Sequence, residues 1–427
     1  MSTQQKRLLL FTSKLGYQTR SFGEAAEKLG VELVFVTDRC HQLEDPWGDR
    51  AIAVHFETPE TAAHILLESQ HNQRVDGLLA LGDRPALTAS YVARGLGIHY
   101  NHPAAVEACR SKLRTREVFR DAGLPVPWFR SVPLTPLPEP ALLGISYPCV
   151  LKPLSLSASQ GVVRANNRAE FVAAADRLRR LLESPEIRAT REAHLDRMLV
   201  EDYLPGREVA VEGLLTDGSL RILAIFDKPD PLEGPYFEET IYVTPSRLPE
   251  ALQDRIHQEV ARACRLAGLV TGPVHAEVRI NDQGVWILEV AARSIGGLCG
   301  RVLTHSLGMS LEELILRQVV AEPLAIAGED GAAGVMMIPI PRRGIYDGVK
   351  GLAAAQSVPG VTGVTITVEP GQIIAPPPDG ASYLGFIFAR AASPADAETA
   401  LRIAHRRLHF DIRPEYSAME APAAERL

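Results

Sequence analysis

The sequence predicts a multidomain protein of mixed class, α/β at its N-terminal end and α+β beyond it. Three observations carry that expectation. The chain has 427 residues, more than a single core ordinarily supports. Residues 7 to 100 alternate short apolar runs with helical patterns, and after Gly334 the texture changes to β-rich runs followed by one helical pattern. Hydrophobic content of 46% and charged content of 23% are ordinary for a globular chain. The net charge of -7 supplies no broad basic surface, so nucleic acid is not expected as the main partner.

The N-terminal elements read in order as RLLLFTS (strand), YQTRSFGEAAEKLG (helix), VELVFVTD (strand), VDGLLALG (strand) and RPALTASYVARGLG (helix). Alternating strands and helices imply a parallel sheet covered on its faces, and both helices stop at a glycine, Gly30 and Gly97. The turn TSKLGYQ lacks G-x-G-x-x-G, so this Rossmann-like domain has no dinucleotide fingerprint. Next, SKLRTREVFRDAGLPVPWF reads as an amphipathic helix from near Ser111 to Ala122-Gly123, with prolines forcing an extended exit. A Pro-rich stretch leads to the β-rich YPCVLKP, and a long charged helix separates it from RMLVEDYLPGREVAVEGLL. In the tail, VMMIPIP, VTGVTITV and LGFIFAR read as strands and PADAETALRIAHRRLHF as a helix, with the last dozen residues expected to fray.

Cys40, Cys109, Cys149, Cys264 and Cys299 are odd in number, scattered, and form neither C-x-x-C nor a Cys/His cluster, which points to a reducing cytoplasm rather than a disulfide framework or zinc site. The N-terminus carries no signal-peptide pattern and no run of about eighteen apolar residues occurs, so no membrane association is expected.

The most informative stretch is HAEVRINDQGVWILEVAARSIGG, from His275 to Gly297. Two alternating apolar runs flank NDQG, the pattern of a hairpin. With a three-residue loop, Asp282-Gln283-Gly284, Glu277 lies opposite Glu289; a two- or four-residue loop places Glu289 opposite Ala276. In the three-residue register one face carries His275, Glu277, Arg279, Ile287, Glu289, Ala291 and Arg293, and the other, with Trp286 and Leu288, is core. Like charges facing each other across a sheet need open water or a cation. If the cation is Mg²⁺, which shares its coordination with substrate phosphates, a phosphate-binding surface belongs elsewhere in the chain.

Candidates for that surface exist. Lys112 sits at a helix start, Lys152 ends a strand, and PLSLSASQG after it offers backbone N–H groups and hydroxyls before closing on Gly161, although a flexible linker has the same composition. In VEDYLPGREVAVE, Glu201 closes one strand and Glu208 opens the next. A helix Lys before AGLPVP, a strand Lys before a small-residue loop, E-D-Y-L-P-G-x-E and E-x(11)-E-x(3)-R, in this order, resemble the ATP-grasp superfamily over roughly residues 7 to 320.

That resemblance implies an ATP-grasp fold with a mobile lid, and ATP with Mg²⁺ (or Mn²⁺) as cofactors. It further implies that Lys112 and Lys152 contact the phosphates beneath the loop of Ser157, Ser159 and Gly161. Glu201, Asp202 and the backbone to Leu204 would hold adenine, Glu208 the ribose, Glu277 and Glu289 the metal, and Arg293 the substrate carboxylate. The sequence departs from the superfamily in having Ala291 where many members have Asn, Ser and Ala where several have loop glycines, and Asp202 where a number have Lys. The E-V-A-A-R form, with the tail, is similar to the L-amino-acid (dipeptide) ligase branch; the Gln-Val-Glu-His of biotin carboxylases is missing from SIGGLCG.

The implied reaction is ATP-dependent joining of a carboxylate to an amine through an acylphosphate, with release of ADP and phosphate. Its partners are small molecules, amino acids or similar compounds, in a homodimer. Further substrate contacts are expected from Tyr236, Glu238 and Glu239, from His275, and from Gly296 and Gly297. The expected division is a Rossmann-like domain over 1–110, an ATP-grasp domain over 111–325 with its lid at about 124–210, and an α+β C-terminal domain over 326–427. Two rival readings are another ATP-grasp ligase or carboxylase with a different acceptor, and a non-catalytic nucleotide-binding protein. A pure binding module has no need of Arg293 beside the acid pair.

Overall fold

The computed structural model describes residues 5–13, 17–38, 51–70, 73–137 and 143–415. Cys40, the turn at 14–16, part of the Pro-rich stretch and the tail from 416 lie outside these residues.

The first sheet contains β1 (Arg7–Thr12), β2 (Glu32–Thr37), β3 (Ala51–Ala53) and β4 (Gly77–Leu81), all parallel, in the order β3-β2-β1-β4. Leu8 to Phe11 are wholly inaccessible, as the continuous apolar run in β1 requires of a strand covered on both faces. The accompanying helices are α1 (Tyr17–Leu29), α2 (Pro59–Ser69) and α3 (Asp83–Leu96), α3 ending at the left-handed Gly97. After α4 (Pro103–Arg110), Ser111 caps α5 (Lys112–Asp121) by accepting a hydrogen bond from the Arg114 amide.

A second, separate sheet follows: β5 (Phe129–Pro133), β6 (Cys149–Pro153), β7 (Val163–Ala165) and β8 (Arg197–Asp202), ordered β5-β8-β6-β7. It packs on α6 (Arg168–Glu183) around its own core, in which Phe171, Leu178, Met198 and Val200 are buried. At the start of α6 the Asn167 side chain accepts from the Glu170 amide, and the Glu170 carboxylate accepts from the Asn166 amide. The short α7 (Pro185–Ala189) completes this lobe, which is the expected lid.

The main sheet has eight strands. It begins with β9 (Arg207–Thr216), β10 (Ser219–Asp227) and β11 (Ile241–Thr244), and continues after α8 (Glu250–Ala267) with the hairpin β12 (Gly272–Asn281) and β13 (Gly284–Ala291). Helices α9 (Leu303–Leu307) and α10 (Leu311–Val319) lead to β14 (Ala332–Ile338), β15 (Gly344–Lys350), α11 (Leu352–Gln356), β16 (Val361–Ile366), β17 (Ile373–Ile374), β18 (Gly385–Ala391), α12 (Pro394–His405) and β19 (His409–Arg413). The sheet order is β13-β12-β9-β10-β11-β14-β18-β16, so the C-terminal strands β14, β16 and β18 extend the sheet that carries the acid hairpin across residue 325. β15, β17 and β19 form a small sheet of their own.

The lid sheet ends at Asp202 and Arg207 already begins the main sheet, so E-D-Y-L-P-G is a crossover between two sheets. Gly206 makes that crossover feasible, because a Cβ there would lie 2.1 Å from the Ile280 carbonyl oxygen. In the acid hairpin the loop has two residues, since Asn281 pairs with Gly284, and a bulge after Glu277 shifts the register so that Glu277 still faces Glu289. The bulge also turns the distal part of β13 over. Ile287 and Val285 enter the core, while Trp286 and Leu288, expected inside, are only partly covered.

Candidate active site

The lid, the main sheet and the start of α5 meet around three groups of charged side chains.

The first group is cationic. Lys152 at the end of β6 approaches Glu201 at 2.6 Å, and the Arg116 Nε donates to the same carboxylate at 2.7 Å. Arg116 and Glu201 are almost inaccessible, at 2% each. Burial alone would raise the Glu201 carboxyl, but Arg116 and Lys152 outweigh it and bring it down to about 2. The Lys152 ammonium is pushed below its ordinary range by burial, with Arg116 and Lys112 adding repulsion that Glu201 does not cancel. Nearby, Lys112 is tied to the small-residue loop twice, its amide donating to the Leu154 carbonyl at 3.0 Å and its ammonium to the Leu156 carbonyl. The same ammonium lies 3.9 Å from Glu289. One lysine therefore connects the small-residue loop to the acid pair.

The second group is anionic. β9 and β12 are antiparallel partners with Glu208 opposite Arg279, Ala210 opposite Glu277 and Glu212 opposite His275. The Arg279 guanidinium donates to Glu208, and Lys228, just beyond β10, reaches Glu208 at 2.8 Å, Glu277 at 3.4 Å and also Glu239. Among the described residues, carboxylate oxygens of Glu208, Glu239 and Glu277 lie within 4.8 Å of one another, a spacing suited to a metal ion, and Lys228 sits among them. Burial and the neighbouring Glu277 and Glu208 raise the Glu239 carboxyl to about 7 despite Lys228, and three carboxylates hold Lys228 well above its usual range against the cost of burial. Glu289 stands outside this trio, on the Lys112 side.

The third group surrounds Arg293. Its Nε donates to Asp83, the first residue of α3, at 2.9 Å, and its Nη1 to the Ser294 carbonyl at 3.1 Å. Burial opposes the charge of Arg293, but Asp83 and Glu289 raise its pKa above the ordinary arginine value. Glu212, wholly buried, accepts from the Ile295 amide at 3.0 Å and faces His275 Nδ1 at 3.3 Å, which fixes the chain after Arg293.

Several of the expected site residues have protein partners of their own. Glu201 was expected to reach adenine, but Arg116 and Lys152 use its carboxylate because it lies at the junction of the two sheets. The Leu204 carbonyl accepts from Arg279, and Glu208 is taken by Arg279 and Lys228. Asp202 donates its amide to the Trp128 carbonyl. The Gly161 amide, expected at phosphate, donates to the Pro378 carbonyl at 2.8 Å. Ser157 and Ser159 accept from the amides of Gln160 and Val162, and Ala158 and Ser159 take left-handed conformations where glycine is favoured. His275 is buried against Glu212, and the Tyr236 hydroxyl is turned to Arg177 of the lid. Among the described residues no hydrogen-bond partner meets the buried Glu238 Oε1. Gly296 is exposed, whereas a Cβ at Gly297 would press on the Phe386 ring.

The sequence reading overlooked Lys228, Arg116, Asp83 and Glu212. A signal existed for Glu212, since E-x-x-x-E at 208 and 212 matches the spacing of H-x-E-x-R at 275 to 279 and brings opposite charges together across the strands. Between the lid and the main sheet an apolar shelf contains Val150, Leu232 and Phe237 with Val162 and Tyr203, and Tyr203 stacks on Phe237 at 6.4 Å.

Family models match for an ATP-grasp N-terminal domain over residues 23–98, an ATP-grasp domain over 145–302 and an L-amino acid ligase C-terminal domain 2 over 336–413. The crystal structure of L-amino acid ligase from Bacillus licheniformis superposes with a TM-score of 0.81 at 26% identity, covering 96% of this chain and 100% of that one. The uncharacterized protein y4rH of Sinorhizobium fredii is 23% identical over 96% of this chain and 84% of its own length. Alanine–anticapsin ligase of Bacillus subtilis is 28% identical over 52% of this chain and 48% of its own, so the chain spans about half the length of that relative. The chain therefore carries an ATP-grasp domain flanked by the matched N-terminal and L-amino acid ligase C-terminal domains, and its relatives and structural neighbours support an ADP-forming ligase that makes C–N bonds. Among the described residues no helix is long and apolar enough to cross a membrane.

Proposed function

We propose that this protein joins the carboxylate of one amino acid or amino-acid-like molecule to the amine of another, through an acylphosphate. The observation that carries the reading is the position of Lys112, bonded to the small-residue loop and 3.9 Å from Glu289. It supports a phosphate chain running from the loop to the acid pair.

Mg²⁺ fits the donors present. Glu277 and Glu289 are cross-strand partners with hard oxygen ligands, each about one-quarter exposed, and Lys112 is the cation beside Glu289. Bound there, the ion would neutralise triphosphate charge and orient the γ-phosphoryl group. Lys112 and Lys152 would draw the phosphate oxygens towards the loop, with Glu201 fixing Lys152 in place. The shelf of Tyr203 and Phe237 offers a flat surface to the nucleobase. Arg293, aimed by Asp83, would bind the carboxylate and stabilise the charge that spreads as the phosphoryl group transfers. Glu238 and Glu239 supply carboxylates for a substrate ammonium.

In the first step a carboxylate oxygen bonds to the γ-phosphorus and the bond to ADP breaks. In the second, the amine nitrogen bonds to the acyl carbon, phosphate leaves with the C–O electron pair, and the nitrogen gives up its proton. The lid excludes water from the acylphosphate. The test is ADP and phosphate release from Mg²⁺-ATP against amino acids offered singly and in pairs, with Glu289→Gln as the control. Release that needs a pair and is lost in the variant supports the proposal; binding of ATP without stimulation by any pair refutes the amino-acid substrates.

A further inference from the structure

The Ser155–Gly161 loop is fastened to the C-terminal part of the chain by contacts that serve no role in the reaction steps above. The Gly161 amide donates to the Pro378 carbonyl at 2.8 Å and the Gln160 side-chain amide to the Asp379 carbonyl at 2.9 Å. From α6, Arg177 donates through Nε and Nη2 to both Asp379 carboxylate oxygens, at 2.9 and 2.7 Å, and through Nη1 to the Tyr236 hydroxyl at 3.0 Å. A Cβ at Gly161 would meet Leu178 at 2.9 Å, so α6 presses directly on the end of the loop. Two segments distant in sequence, 376–380 and 233–237, thus grip the lid at its phosphate loop. The lid is a sheet with its own core, joined to the main sheet by the short crossover between Asp202 and Arg207. Its opposite side is held separately, where Glu192 meets Arg84 and Arg110.

The fork-to-fork geometry of Arg177 and Asp379 gives direction and specificity. Their side chains are 38% and 40% exposed, so water competes for both and the pair adds little to global stability. A contact of that kind suits a fastening that must open for every substrate to enter and product to leave.

We propose that Arg177 and Asp379 are positioning residues that latch the phosphate loop shut, and that the latch sets how the acylphosphate partitions between amine and water. The partition rests on the acylphosphate reading, whereas the latch itself does not. When the lid opens early, water attacks the acyl carbon, the C–O bond to phosphate breaks, and the carboxylate is regenerated with ATP spent.

The test uses the full chain with Mg²⁺ and a non-hydrolysable ATP analogue, comparing wild type, Asp379→Asn and the reversed pair Arg177→Asp with Asp379→Arg. Amide hydrogen exchange over residues 155–165 is expected to rise about tenfold in Asp379→Asn with β9 and β12 unchanged, and to return towards wild type in the reversed pair. In turnover, Asp379→Asn should raise the KM for ATP and the ratio of ADP released to amide formed severalfold, without a matching fall in kcat for ADP release. Unchanged exchange over 155–165 in Asp379→Asn, or an increase that the reversed pair leaves in place, overturns the latch. If wild type forms no amide with any substrate pair, the ligase reading fails, and the exchange measurement still decides the latch.

Discussion

The charged groups around Glu201 and around Lys228 are built with opposite surpluses. Around Glu201, one carboxylate is shared by Arg116 and Lys152, with Lys112 close by. Around Lys228, the carboxylates of Glu208, Glu239 and Glu277 are shared by Lys228 and Arg279. Buried charge is costly unless it is matched, so each surplus favours a ligand of opposite charge. The cationic surplus suits phosphate oxygens and the anionic surplus suits a metal ion or an ammonium group.

The sharpest way to break this contrast is to remove charge from the acid pair. Glu289→Gln should lower ADP release by about two to three orders of magnitude with the folding transition little changed, because Glu289 is partly exposed and its neighbour Lys112 keeps the Leu156 carbonyl as a partner. Parallel turnover and thermal denaturation measurements check both halves of that expectation.

Removing a cation from each group should have unequal effects. Lys228→Met leaves three carboxylates with Arg279 alone and should destabilise the fold by about 3–5 kcal/mol, with added Mg²⁺ raising the Tm of the variant more than that of wild type. Arg116→Met leaves Glu201 still paired with Lys152 and should cost less, about 1–3 kcal/mol. Equal losses in denaturant titrations would show that the two groups do not differ in charge balance.

The pH dependence follows from Glu201. Its folded carboxyl is brought down to about 2 from an ordinary 4.5, so its stabilising contribution is complete above the unfolded value and is lost as pH falls from 4.5 towards 2. The stability difference between wild type and Glu201→Gln should therefore be constant from pH 7 to 5 and shrink below that. The smallest effect is expected in the loop, where Ala158→Gly and Ser159→Gly relieve left-handed strain. Each should stabilise the closed loop by up to about 1 kcal/mol, read as slower hydrogen exchange over residues 155–165.

Much of the site was legible because it is local. The start of α5 at Lys112 follows from Ser111, the end of β6 at Lys152 from the apolar run before it, and the facing of Glu277 and Glu289 from one hairpin pattern. Even there the register was reached by a different route. The expected three-residue loop is a two-residue loop plus a bulge; both place the acids opposite each other, but the bulge exchanges which of Trp286, Ile287 and Leu288 are buried. A bulge depends on how β13 packs on its neighbours, which hairpin residues alone do not encode.

The sequence by itself determined the local elements and the spacing of the acids and lysines. It did so because those features depend on strand period and on residues near one another in the chain. Only the tertiary structure decided that Lys228 enters the acid trio, that Asp83 aims Arg293 from 210 residues away, and that Asp379 pairs with Arg177 of α6 from 202 residues away. Each of these contacts joins separate sheets or lobes, and its partner is selected by where whole elements pack rather than by any periodicity along the chain.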